Sequence, residues 1–162
     1  VALVTDARPL LGVISAPALG LLWRGVVGSG AERMSLSPDT AAREASRARI
    51  QPRHRQDGSW VAAVSRSHGD PRTEAFINAR GGAQRMPIGS ALKFCRVAEG
   101  TADIYPRLSG ISEWDIAAGH AILEAAGGTV TDSRGQPIRF GQRKGDFAVP
   151  EFIAWGDATQ AR

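Results

Sequence analysis

The sequence predicts an α/β fold, a sheet covered by helices and preceded by a short β region. Two observations carry this. From Trp60 onward, compact apolar runs alternate with segments that open on capping residues and close on glycine, the rhythm of strands alternating with helices. Before Trp60 the apolar runs are short and separated by turn residues, which predicts three strands.

Val1 to Val4 and Leu10 to Ile14 flank Asp6-Ala7-Arg8-Pro9, a hairpin signal. Pro17 and Gly20 break the chain before Leu21, Leu22 and Trp23, and the glycine-rich segment from Gly25 to Gly30 follows. Trp60 to Val64 reads as a strand. Asp70-Pro71 supplies an N-cap with proline at the first helical position, so a helix runs to about Arg80, and Gly81-Gly82 ends it. Gln84 to Ile88 is the next strand, a helix from Ala91 is closed by Gly100, and Ala102 to Tyr105 is a strand again. Ser112, with Asp115 three residues on, reads as a capping box for a helix from Glu113 to Ala126, stopped by Gly127-Gly128. In that helix Ile116, Gly119, Leu123 and Ala126 form a stripe. Thr129 to Thr131 and Phe152 to Trp155 complete the alternation.

The 162 residues, 43% hydrophobic and 22% charged, suit one globular unit with a real core. No apolar run is long enough for a membrane helix, and the first residues carry no secretory signal, so a cytoplasmic protein is expected. A single cysteine, Cys95, excludes an internal disulfide and a thiolate zinc site within one chain. The net charge of +4 and a pI near 10.2 favour anionic partners. Yet Arg33, Arg43, Arg47, Arg49, Arg53 and Arg55 crowd one polar stretch that reads as loop and holds almost no aromatic residue to stack a base. A solvated connector is the better reading of that stretch than a nucleic-acid surface. The expected organisation is residues 1–34 as strands of one domain, 35–59 as connector and 60–162 as an α/β substrate-binding domain. Val1 opens the chain with mid-strand residues, which suggests a fragment.

Three strand-to-helix junctions can carry chemistry, because ligands of open α/β sheets gather at the carboxyl ends of strands. Ser65-Arg66-Ser67-His68 offers hydroxyls, a guanidinium and an imidazole to phosphate or ribose oxygens; it also fits a turn whose serines bond local backbone. At Gly89 to Lys93, the lysine falls in the first turn of its helix, where the macrodipole disfavours a cation. Either a bound phosphate compensates it or the ammonium points into water. At the third, Asp115 either caps its helix or reaches a metal, and one carboxylate cannot hold magnesium alone.

These residues resemble a known family. Trp114-Asp115-Ile116-Ala117-Ala118-Gly119 followed by Glu124-Ala125-Ala126-Gly127-Gly128 resembles the carboxyl-terminal signature of the inositol monophosphatase superfamily. Ser65-Arg66-Ser67-His68, the run from Gly89 to Gly100, and Tyr105-Pro106-Arg107 resemble its CysQ-type 3'(2'),5'-bisphosphate nucleotidases. The resemblance spans essentially the whole chain and implies a layered α/β sandwich, with the first strands a remnant of an amino-terminal metal-binding sheet. It implies Mg2+-dependent hydrolysis of adenosine 3',5'-bisphosphate to AMP. On that reading Asp115 is a magnesium ligand near the scissile phosphate, Ser65, His68, Ser90 and Lys93 hold the nucleotide, and Arg107 is a further contact. The expected partner is a small nucleotide bisphosphate and not nucleic acid, with a homodimer and attachment to the inner face of the bacterial membrane as compatible states. The family's Glu-Glu and Asp-Pro-(Ile/Leu)-Asp-Gly-Thr motifs are absent from these residues, so the chain is expected to be truncated and inactive alone. Two alternatives stay open: an inositol-phosphate or fructose-bisphosphate phosphatase, against which Arg107 and the Ser65 to His68 pattern count, and a non-catalytic nucleotide- or nucleic-acid-binding module.

Overall fold

The computed structural model describes residues 1–36, 44–54, 60–66, 69–142 and 145–161. Among them, two five-stranded sheets sandwich a pair of helices, and a third helix covers the far side of the second sheet.

The first sheet is antiparallel throughout, in the order β1 (Ala2–Thr5), β2 (Arg8–Ala16), β3 (Leu21–Val26), β4 (Gly30–Leu36), β5 (Glu44–Ile50). Asp6 and Ala7 join the first pair with positive φ at both positions, 50° and 60°, the backbone that a tight two-residue hairpin requires. Two strands lie where the sequence predicts loop. Both β4 and β5 fall in the arginine-rich stretch, and β5 lies inside the 35–59 segment expected as connector. The physical reason is register: Ile50 pairs with Ala31 and packs on the core, while Arg47 and Arg49 are exposed on an edge strand, where charge discourages further pairing.

The second sheet is mixed, in the order β10 (Thr129–Thr131), β12 (Phe152–Trp155), β8 (Ile104–Arg107), β6 (Trp60–Val64), β7 (Ala83–Pro87). Strands β8, β6 and β7 run parallel; β10 and β12 are antiparallel additions. A two-stranded ribbon of β9 (Ile111–Ser112) and β11 (Ala148–Val149) was not visible as pattern, being two residues long on each side.

Helix α1 (Pro71–Asn78) starts where Asp70 and Pro71 predict: Asp70 accepts from the Arg72 and Thr73 amides and from the Thr73 hydroxyl. Helices α2 (Leu92–Ala98) and α3 (Glu113–Ala126) form the layer between the sheets. Gly127 ends α3 in the left-handed region (φ 105°), as a C-cap glycine does. The predicted capping box is not formed. Ser112 makes no side-chain cap bond, and Glu113, not Asp115, is the anchored acid of that turn, accepting from the Gly141 amide at 2.8 and 3.0 Å.

Close packing fixes the height of the middle layer. A Cβ added to Gly12 on β2 would meet the Ala118 carbonyl of α3 at 2.1 Å, and one added to Gly119 would meet the Phe94 ring of α2 at 2.4 Å. Phe94 in turn stacks on Phe152 of the mixed sheet, ring centres 5.3 Å apart. Polar ties run alongside. Buried Glu99, past the end of α2, accepts from Trp23 Nε1 at 3.1 Å and pairs with Arg96, and Arg53 binds Asp103 in two 2.7 Å bonds. No helix among the described residues is long and apolar enough to cross a membrane.

Candidate functional site

Because β6, β7 and β8 are parallel, their carboxyl ends open on one side of the sheet. Ser65 follows β6, Gly89 and Ser90 follow β7, and Arg107 ends β8. With Lys93 from α2 and Asp115 from the first turn of α3, they line one pocket of about 290 Å³ together with Ala91, Tyr105 and Ile111.

Lys93 forms the wall of this pocket, and it does not extend into water. It is 3% exposed, and its Nζ donates to the carbonyls of Ser90 at 2.8 Å and Ile88 at 3.3 Å while lying 4.8 Å from the centre of the Tyr105 ring. These partners answer the cost of a cation near a helix start. Ser90 presents its carbonyl from a left-handed backbone (φ 57°), rare for a residue with a side chain and a mark of local strain. Burial, then the neighbouring Arg107 and Arg66 guanidiniums, pulls the Lys93 ammonium down to about 8.

Tyr105 and Arg107 alternate along β8 with Ile104 and Pro106, so they share the face toward the middle layer. Arg107 donates to the carbonyls of Ser109 at 3.4 Å and Gly110 at 3.3 Å. Tyr105 is buried, its ring meeting Phe94 and Phe152 edge-on, and burial pushes its hydroxyl up to about 12 despite Arg107 beside it. Arg66 lies behind Gly89, its Nη2 3.0 Å from where a Cβ there would sit. So the space that a side chain at Gly89 would fill is bordered by a guanidinium.

Asp115 is exposed, lines the pocket, and among the described residues makes no hydrogen bond to the start of its own helix. Of the expected site residues, Ser65, Ser90, Lys93, Arg107 and Asp115 therefore come together, whereas His68 lies outside the described residues. Sequence reasoning missed Tyr105 as a pocket residue. Its signal was the two-residue spacing from Arg107 at the end of a strand.

One carboxylate and three hydroxyl side chains beside two cations fit magnesium only in part. The ion wants six oxygens, and these residues suit it where a phosphate supplies others. No group of three or more candidate ligands occurs among the described residues. Two larger hollows, of about 400 and 340 Å³, lie elsewhere. The first is on the outer face of the antiparallel sheet beside Leu11, Val13 and Val26, and the second lies between β1 and Trp114. Neither gathers comparable chemistry.

A model of the inositol monophosphatase family matches residues 1–159. The 3'(2'),5'-bisphosphate nucleotidase CysQ of Escherichia coli (strain K12) is 36% identical over 152 residues, which cover 94% of this chain and 57% of the relative. The protein of that name from Buchnera aphidicola subsp. Acyrthosiphon pisum (strain APS) is 34% identical over 143 residues, 86% of this chain and 49% of its own. Among solved structures, CysQ from Bacteroides thetaiotaomicron superposes with a TM-score of 0.79 at 36% identity, over 95% of this chain and 60% of that one. An inositol monophosphatase from Zymomonas mobilis, at 24% identity and a TM-score of 0.72, covers 99% of this chain and 58% of its own and shares the fold. The chain thus spans between about half and three-fifths of the length of these relatives.

Proposed function

The chain belongs to the inositol monophosphatase family, and from that premise we propose that it supplies the phosphate- and nucleotide-holding part of a 3'(2'),5'-bisphosphate nucleotidase, whose reaction takes adenosine 3',5'-bisphosphate to AMP and phosphate. The observation that carries the reading is the gathering of Lys93, Arg107, Ser65, Ser90 and Asp115 on one 290 Å³ pocket, with Arg66 behind it. Two lining cations, with Arg66 beside Gly89, against one carboxylate suit a ligand with more than one phosphate better than a neutral polyol carrying one.

In this proposal the Lys93 ammonium and the Arg107 guanidinium bind phosphate oxygens, and the hydroxyls of Ser65 and Ser90 orient them. By the sequence resemblance His68, three residues after Ser65 in the sequence, is assigned to the nucleotide as well. Asp115 is the residue that would share a magnesium ion with the phosphate. Bound there, magnesium would neutralise charge on the phosphoryl oxygens. In this proposal the described residues bind and orient, and none of them is assigned to take a proton from an attacking water. The 162 residues alone are accordingly expected to bind the bisphosphate without turning it over.

The test is calorimetry of the 162-residue protein with adenosine 3',5'-bisphosphate, inositol 1-phosphate and random-sequence DNA, each with and without magnesium, alongside phosphate release. The expected order is the bisphosphate first, tightened by magnesium, with no release of phosphate. Salt-dependent binding of DNA with no response to the bisphosphate would replace this reading with a nucleic-acid module, and rapid phosphate release would overturn the assignment of a binding role alone.

A further inference from the structure

The first turn of α3 carries two carboxylates, and only one of them faces the pocket. Glu113 and Asp115 are two residues apart, about 200° around a helix of 3.6 residues per turn, so they leave α3 on opposite flanks. Asp115 lines the pocket with Lys93 and Arg107, whereas Glu113 lines the hollow between β1 and Trp114. Neither the family resemblance nor the proposed chemistry gives Glu113 a role. Yet it is buried, 9% exposed, and both of its carboxylate oxygens accept from the Gly141 amide, at 2.8 and 3.0 Å. Burying a carboxylate is costly, and the positive end of the α3 dipole offsets part of that cost.

The backbone around Glu113 repeats the tie. Its own N–H donates to the Phe147 carbonyl at 2.8 Å, and the β9–β11 ribbon pairs Ser112 with Ala148 and Ile111 with Val149. Phe147 delivers that carbonyl from a left-handed backbone (φ 44°), a conformation that persists only where the surroundings fix it, and its ring lies 5.8 Å from that of Trp114. Asp115 has no comparable hold among the described residues: Ser112 makes no side-chain cap bond, and Asp115 makes none to its own helix. Its carboxylate is aimed by the turn that carries it.

We infer that Glu113 is a positioning residue for Asp115. Its bond to the Gly141 amide sets the rotation of the first turn of α3 about the helix axis, and that rotation keeps the Asp115 carboxylate on the pocket rim. Released, a helix start with unpaired N–H groups and no side-chain cap is free to fray, and the carboxylate on its far flank goes with it. Glu113 acts through Asp115 and touches no ligand. The consequence for magnesium rests on the reading of Asp115 given above and the placement does not, so the test separates the two.

Glu113→Gln keeps an oxygen for the Gly141 amide, and Glu113→Ala removes it. Backbone ¹⁵N order parameters of the ligand-free 162-residue protein read the placement directly. The amides of Trp114, Asp115 and Ile116 are expected near about 0.85 in wild type and Glu113→Gln and below about 0.6 in Glu113→Ala, while those of Ala121 to Leu123 on the same helix stay unchanged. Glu113→Asp, which keeps the charge but is one methylene short of the Gly141 amide, should give the same pattern in milder form and serves where Glu113→Ala does not fold. Calorimetry with adenosine 3',5'-bisphosphate reads the consequence: Glu113→Ala should keep the magnesium-free affinity and reduce the tightening by magnesium about tenfold, and Glu113→Gln should restore most of it. The order parameters decide. If those of Trp114 to Ile116 match wild type in the shortened variants, or fall together with the rest of α3, the inference is overturned. If they fall alone while wild type binds the bisphosphate no tighter with magnesium, the positioning role stands and the magnesium reading falls.

Discussion

The two sheets share one helical layer and divide the labour of the molecule between them. The mixed sheet is covered on both faces, by α2 and α3 on one and α1 on the other, and its three parallel strands send Ser65, Gly89, Ser90 and Arg107 to a single rim. Among the described residues, helices cover the antiparallel sheet on one face only. Its outer face keeps Leu3 at 53% and Val26 at 37% exposure, and its strand ends alternate in direction. Parallel strands concentrate loops, and loops carry polar chemistry. Antiparallel strands disperse them, so this sheet contributes packing and sets where α3 stands.

If that division holds, substitutions of the same kind should fail differently in the two regions. The largest contrast is Gly12→Ala against Gly89→Ala. The first drives a methyl into a helix carbonyl at 2.1 Å, and a loss of about 3 kcal/mol or more is expected in urea unfolding. The second meets only the end of the Arg66 side chain, so less than about 1 kcal/mol is expected, with its effect appearing in anion affinity. Equal destabilisation by both would break the comparison.

Next in size is Lys93→Met. A buried ammonium that serves a ligand and not the fold should be dispensable to stability, which holds or rises, while bisphosphate affinity falls on the order of 100-fold. Unfolding and calorimetry on the same variant check both halves.

A pH series sharpens the same point. Burial lowers the Lys93 ammonium from its ordinary 10.5 to about 8 in the fold, so between those values the unfolded chain holds a proton that the folded chain has released. Stability from this group therefore rises with pH across that window, and anion affinity falls as pH passes about 8. Lys93→Met should flatten both trends; if it flattens neither, another group governs them. The smallest effect belongs to the antiparallel sheet's surface. The Arg24–Glu32 pair, 2.8 Å apart on exposed strand positions, should yield less than about 0.5 kcal/mol on Glu32→Ala in the same unfolding assay.

Much of the mixed sheet was legible because its punctuation is chemical. Asp70 and Pro71 start α1, Gly127 stops α3, and the apolar run from Trp60 to Val64 is β6 to the residue. The antiparallel sheet was legible where a turn announced it, at Asp6, and illegible in β5, whose alternation is of alanine and serine with arginine and has only one apolar anchor, Ile50. Of the pocket, the residues with distinctive side chains could be named from their junctions. What the sequence could not show was that Lys93 is compensated by two carbonyls and a ring, because those partners come from a strained Ser90 and from β8, which is distant in the chain. Nor could it distinguish a cap from a free carboxylate at Asp115. That depended on Glu113 finding the Gly141 amide across a loop.

The bare Cα positions at Gly12 and Gly25 let α3 settle directly on backbone. Asp115 rides on the first turn of that same helix, so it behaves as the tip of a beam whose seat lies far along the chain. Shimming the seat by a single methyl would tilt the beam and carry the carboxylate away from the rim, silencing the pocket without touching any residue that lines it.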